Sequence, residues 1–198
     1  MKQIDWLFFD VGSTLVNEEK AYQDRIKQAL ADTNISYAAF YQTMIHYFME
    51  NKKGDVEALK YYGLKCPSWK SDLETLYPGC KHVLKTLHSH YKIGILANQL
   101  PNLLARLRNF GIDSYIDLII SSADVGLAKP NLAIFKLALQ QANCLAEHAV
   151  MIGDRLDNDI LPAKQLGMRT IWIRQGFSRL THITNPAETP DWTVDNLA

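Results

Sequence analysis

The sequence predicts an α/β fold: a doubly wound parallel sheet with a helical insert after its first strand. Three observations predict it. From residue 79 onward, short continuous apolar runs alternate with helix-periodic stretches, the pattern of strands buried on both faces and joined by crossover helices. Ahead of that alternation, residues 17–75 are polar, long and mostly helix-periodic. Several apolar runs also end in polar residues that a parallel sheet would gather along one edge.

Taken in order, Ile4–Phe9 is a short apolar run rich in aromatics and reads as a buried strand. Helical spacing follows. Tyr22, Ile26 and Leu30, then Phe40, Met44, Tyr47 and Phe48, recur at steps of three or four. Gly54 breaks this run, a shorter helix covers 55–62, and Gly63–Trp69 with Pro67 forms a loop. Tyr77-Pro78-Gly79 breaks the chain again, with Pro78 placed to open a helix. Four units follow: helix 79–89 with strand 92–97, helix 101–109 with strand 116–120, helix 131–142 with strand 148–152, and helix 158–167 with strand 169–173. Residues 176–198 hold Gly, Pro, Thr and Asp with little periodicity and read as a mostly irregular tail.

The expected division is an α/β core over 1–16 and 76–175, a helical cap over 17–75 and the tail. The insert of about sixty residues begins just after Asp10. It would therefore sit over the carboxyl end of the first strand, where open α/β sheets bind ligands.

Composition narrows the function. Lys plus Arg and Asp plus Glu stand at 21 each, so no excess charge points to nucleic acid or an anionic membrane. No apolar run is long enough to span a bilayer, and Lys2 and Asp5 bring charge too early for a signal peptide. Cys66, Cys80 and Cys144 are far apart and form no CxxC pair, against a disulfide frame or a zinc site. The expected setting is cytoplasmic.

The polar strand ends hold the candidate chemistry. They are Asp10 with Thr14, then Asn98-Gln99, then the run to Lys129-Pro130, then Asp154 with Asp157, Asn158 and Asp159. Singly, each suits a turn, a helix cap or a solvated surface. Together, in this order, they resemble a family. "FFDVGSTL", "GILANQ", "SSADVGLAKP" and "MIGDRLDNDI" are similar to the four motifs of the haloacid dehalogenase-like hydrolases, and "LYPGCKHVLKTL" to the return from a cap into their core.

The resemblance implies a Rossmann-like core and Mg2+-dependent hydrolysis of a small phosphorylated metabolite. Asp10 would be the nucleophile, forming an aspartyl-phosphate, and Lys129 would neutralise phosphate oxygens. Ser13, Thr14, Asn98 and Gln99 would contact the phosphate. The metal ligands would be Asp10, the Gly12 carbonyl and Asp154, with Asp159 acting through water. Independently of the family, three carboxylates against one lysine call for a cation or for protons, and oxygen ligands suit Mg2+.

Two positions depart from the family pattern. Gly12 stands where the general acid/base Asp is expected, and Ala97 where a phosphate-binding Ser or Thr is expected. Loss of the acid predicts slow turnover, since such a group is typically worth ~10²–10⁴ in rate. Glu18, Glu19 and Tyr22 open the insert and could reach the site, although the acids read more readily as a solvated helix start. Asn98 or Gln99 could replace the lost hydroxyl with an amide. The family's dehalogenases carry an aromatic at the Gly12 position and use no metal, which the acidic fourth motif argues against. The alternative is a degenerate member that binds a phosphorylated ligand or partner without turnover.

Overall fold

The computed structural model describes residues 3–197. The chain runs β1 (Trp6–Phe9), β2 (Val16–Asn17), α1 (Glu19–Leu30), α2 (Tyr37–Met49), α3 (Gly54–Tyr61), β3 (Thr75–Leu76), α4 (Cys80–His88) and β4 (Lys92–Ala97). It continues through α5 (Leu103–Asn109), β5 (Leu118–Ser121), α6 (Ser122–Val125), α7 (Leu132–Gln141), β6 (Ala149–Gly153), α8 (Leu161–Gln165), β7 (Arg169–Ile173) and β8 (Trp192–Val194). Six strands form one sheet in the order β5-β4-β1-β6-β7-β8, and every pairing in it is parallel.

Strand alternation explains the two cores, because successive side chains point to opposite faces. Leu7, Phe9, Ile93, Ile95, Val150 and Ile152 pack with Cys80 and Leu84 of α4 and Leu103 and Leu107 of α5. Phe8, Leu96 and Met151 pack with Ile134, Phe135 and Ala138 of α7 and Ala163 of α8. The sheet is thus wound on both faces, as predicted. β1 lies centrally with β4 on one side and β6 on the other. The chain diverges to the two sides there, so a crevice opens at the carboxyl end of β1.

Helices α1–α3 build a separate apolar cluster from Ile26, Phe40, Met44, Ala58 and Leu59. The chain leaves the sheet and returns through one short antiparallel pair, Val16↔Leu76 and Asn17↔Thr75. Ser36 caps α2 by accepting from the Ala39 N–H at 3.2 Å.

Two expectations change. Residues 176–198 are more than an irregular tail. Gly176–Leu180 forms a 3-10 turn, and β8 adds a sixth strand through Ile171↔Trp192, Trp172↔Thr193 and Ile173↔Val194. All three β8 residues are exposed, so no apolar alternation announced it. The open edge of β7 supplies its partners instead. The Asp191 carboxylate fixes the approach, accepting from the Thr170 N–H at 2.9 Å and the Arg169 guanidinium at 3.0 Å. The helix expected over 158–167 begins earlier, as a five-residue π-helical turn Leu156–Ile160, and continues as α8 with Pro162 in its first turn, where no backbone donor is needed. Such π turns often occur at functional sites.

Candidate active site

Asp10 follows β1, with its backbone N–H donating to the Ile152 carbonyl at 2.9 Å. The chain then folds back on itself. Ser13 adopts φ 52° and its N–H donates to the Val16 carbonyl at 2.8 Å. This tight loop holds the Asp10 carboxylate at the crevice.

Lys129 reaches the same point from the segment after α6. Its Nζ lies 2.6 Å from Asp10 Oδ1 and 2.5 Å from Asp159 Oδ1. Asn98, at the end of β4, sets the position of this lysine. Asn98 Nδ2 donates to the Lys129 carbonyl, and the Lys129 N–H donates to Asn98 Oδ1, both at 2.8 Å. The Lys129-Pro130 peptide is cis.

Asp154 and Asp159 come from the end of β6 and the π turn. Asp159 Oδ2 accepts from the Arg155 N–H at 3.0 Å. A side chain at Gly153 would be impossible here, because a Cβ would lie 2.4 Å from Asp159 Cγ. The Asp154 carbonyl accepts from Trp172 Nε1 at 2.7 Å. Carboxylate oxygens of Asp10, Asp154 and Asp159 all lie within 4.8 Å of one another.

The site is short of positive charge. Burial pushes the Asp10 carboxyl up to about 6, and the Asp159 charge adds to this against the pull of Lys129. Burial, with Asp10 and Asp159 nearby, holds Asp154 well above the usual carboxylate range. Burial alone would lower the Lys129 pKa, but the two carboxylates it touches outweigh that and raise it. Three crowded, shielded carboxylates are a donor set of hard oxygens that fits a small divalent cation.

Glu18 occupies the space that Gly12 leaves open. A Cβ on Gly12 would sit 2.6 Å from Glu18 Oε1 and 2.8 Å from its Cδ and Oε2. Ser13 Oγ donates to Glu18 Oε2 at 3.1 Å. Burial, then the charges of Glu74 and Asp10, push the Glu18 carboxyl up to about 8. Glu18 is therefore not a solvated helix-start acid, whereas Glu19 is exposed.

The crevice has a volume of about 470 Å³ and is lined by Asp10, Gly12, Ser13, Glu18, Asn98, Gln99, Lys129, Asp154 and Asp159. Of the residues singled out in the sequence, Thr14 is not among them. It is fully buried, its hydroxyl has no partner among the described residues, and its carbonyl accepts from Gln175 Nε2 at 2.8 Å. The Ser13 hydroxyl is directed to Glu18, and the Asn98 amide to the Lys129 backbone. Gln99 Oε1 accepts from Arg106 Nη1 at 2.8 Å.

Several lining residues had no signal in the sequence. Phe177, Ser178 and Thr181 arrive from the tail. Phe177 stacks on Phe48 with centroids 4.3 Å apart, and Tyr22 packs edge-on to both. Tyr22 also packs edge-on to Trp69 at 4.9 Å, and the Arg25 guanidinium lies 4.5 Å from the Trp69 ring centroid and pairs with Asp55 at 2.5 Å. Trp69 Nε1 donates to Glu74 at 2.6 Å, and Glu74 also pairs with Arg106. Trp69 lines the crevice, whereas Phe40 is fully buried in the helical cluster.

The sequence pattern of the family described as Haloacid dehalogenase-like hydrolase matches residues 7–173. Pyrimidine 5'-nucleotidase YjjG of Escherichia coli is 28% identical, over 98% of this chain and 94% of its own. Glyceraldehyde 3-phosphate phosphatase of Pyrococcus abyssi is 30% identical, over 86% of this chain and 81% of its own. The crystal structure of a HAD phosphatase from Thermococcus onnurineus superposes with a TM-score of 0.67 at 22% identity, covering 98% of this chain and 94% of that one.

Proposed function

The chain belongs to the haloacid dehalogenase-like hydrolases, and we propose that within this family it hydrolyses a small phosphate monoester using Asp10 as nucleophile. One observation carries the reading. The Lys129 ammonium bridges Asp10 and Asp159 beside Asp154, at the crevice where β1, β4 and β6 end. A buried cluster of that charge is costly unless it serves an anionic ligand and a cation. The phosphatase relatives from Escherichia coli and Pyrococcus abyssi support the same reaction class.

Asp10, the Gly12 carbonyl and Asp154 would hold Mg2+, with Asp159 acting through water, and the ion when bound supplies positive charge to the phosphoryl oxygens. The chain's own residues do the rest. Asp10 attacks phosphorus and forms an aspartyl-phosphate, which water then hydrolyses. Lys129 offsets charge on the transferring group. The Lys129 position depends on Asn98, which takes up the role left by the missing hydroxyl at Ala97 by positioning rather than by touching phosphate. Residues 17–75 act as a cap over the crevice and exclude water during transfer, with the paired strands β2 and β3 as their two connections to the core.

The test is hydrolysis of p-nitrophenyl phosphate with and without Mg2+, on the wild type and Asp10→Asn. Mg2+-dependent turnover that disappears in Asp10→Asn is the expected result. Equal background rates in both proteins would make the chain a ligand-binding member without turnover.

A further inference from the structure

We propose that Glu18 is the general acid/base of this site, replacing from the start of α1 the carboxyl group that Gly12 lacks. The inference rests on the phosphatase reading and adds a catalytic residue to it.

An aspartate at position 12 would place its carboxyl oxygens about 2.4 Å from its own Cβ, by ordinary bond lengths. The Glu18 oxygens lie 2.6 and 2.8 Å from that same Cβ position. The Glu18 carboxyl thus lies in the space a side chain at position 12 would enter, on the crevice that Asp10 also lines. Gly12 is not held in the left-handed region, so its backbone does not demand glycine. What the missing side chain provides is room for Glu18.

The local fold delivers Glu18 to that place. Val16 bridges back to Gly12, and the left-handed Ser13 closes the turn between them. Residue 18 therefore returns over residue 12. Ser13 Oγ then fixes Glu18 Oε2 at 3.1 Å, and Oε1 is the atom nearest to the vacant Cβ position. Both Glu18 and Asp10 line the crevice.

The proton balance closes. As Asp10 Oδ bonds to phosphorus and the ester P–O bond breaks, protonated Glu18 gives its proton to the departing oxygen. The Glu18 carboxylate next takes a proton from water as the water oxygen bonds to phosphorus. The Asp10–phosphorus bond then breaks and releases inorganic phosphate, with Asp10 and protonated Glu18 restored.

The experiment compares phenyl phosphate with p-nitrophenyl phosphate, at saturating Mg2+, on the wild type, Asp10→Asn, Glu18→Gln, Glu18→Ala and Glu18→Ala combined with Gly12→Asp. A lost acid matters most when the leaving group is poor. Glu18→Gln should lower kcat/KM for phenyl phosphate by ~10²-fold or more, and for p-nitrophenyl phosphate by far less. It should also show a burst of one equivalent of p-nitrophenol, because the second step lacks its base. The double variant should regain at least about tenfold over Glu18→Ala on phenyl phosphate. An unchanged ratio between the two substrates in Glu18→Gln would overturn the assignment, as would a double variant no better than Glu18→Ala. Wild-type turnover no greater than that of Asp10→Asn would instead overturn the phosphatase reading, and this inference with it.

Discussion

Asn98 and Lys129 exchange two hydrogen bonds of 2.8 Å, side chain to backbone, across the gap between the end of β4 and the segment after α6. This pairing ties the lysine that touches Asp10 and Asp159 to the sheet edge. Asn98→Ala would leave a backbone donor and acceptor of Lys129 unpaired, for a loss of about 1–3 kcal/mol in stability. It would also let the ammonium drift from Asp10. A misplacement of this kind lowers kcat/KM by roughly ten- to a hundredfold, measured with p-nitrophenyl phosphate against urea unfolding of the same variant.

Lys129→Met removes the cation from two carboxylates at 2.6 and 2.5 Å. Breaking a buried pair on one side costs about 3–5 kcal/mol. The loss of charge stabilisation in the transfer step should lower kcat by ~10²–10³-fold or more. A variant that stays active while losing stability would show that Lys129 serves only to balance the acids.

Mg2+ should stabilise the fold more at pH 8 than at pH 5. An acid whose folded pKa is raised holds more protons folded than unfolded, so its contribution is lost as pH rises. For Asp10 the window runs from the usual 3.8 to about 6, and Asp154 is shifted upward too. At pH 8 Asp10 carries charge that a cation offsets; at pH 5 a proton already does so in part. The check is the Mg2+-induced rise in Tm at the two pH values, with Asp154→Asn expected to shrink the difference.

Phe177→Ala should loosen the contact between the tail and the helical cluster. It removes the ring stacked on Phe48 at 4.3 Å and the edge contact with Tyr22. An aromatic pair contributes about 0.5–1.5 kcal/mol beyond area burial, so a total loss near 1–3 kcal/mol is expected for this partly buried ring. Urea unfolding measures it. A larger effect on KM than on kcat would place the ring in substrate binding as well.

The sequence by itself determined five strands of the sheet, their winding and the family. Apolar runs such as KIGILA and HAVMI need burial on both faces, and only parallel strands between crossover helices provide it. It also determined that Asp10, Lys129, Asp154 and Asp159 share one edge, because strand ends of a parallel sheet converge whatever the side-chain detail. Tertiary structure alone decided which polar groups face the crevice. Thr14 is adjacent in sequence to Ser13 yet turns into the core. Glu18 looks like an exposed helix start until the Gly12–Val16 bridge folds it back. Phe177 and β8 carry no periodic signal, because their partners are a ring of α2 and the free edge of β7. Periodicity reports burial of whole faces, whereas these placements depend on a single backbone turn, a missing Cβ or one unpaired edge, none of which leaves a repeating pattern in the chain.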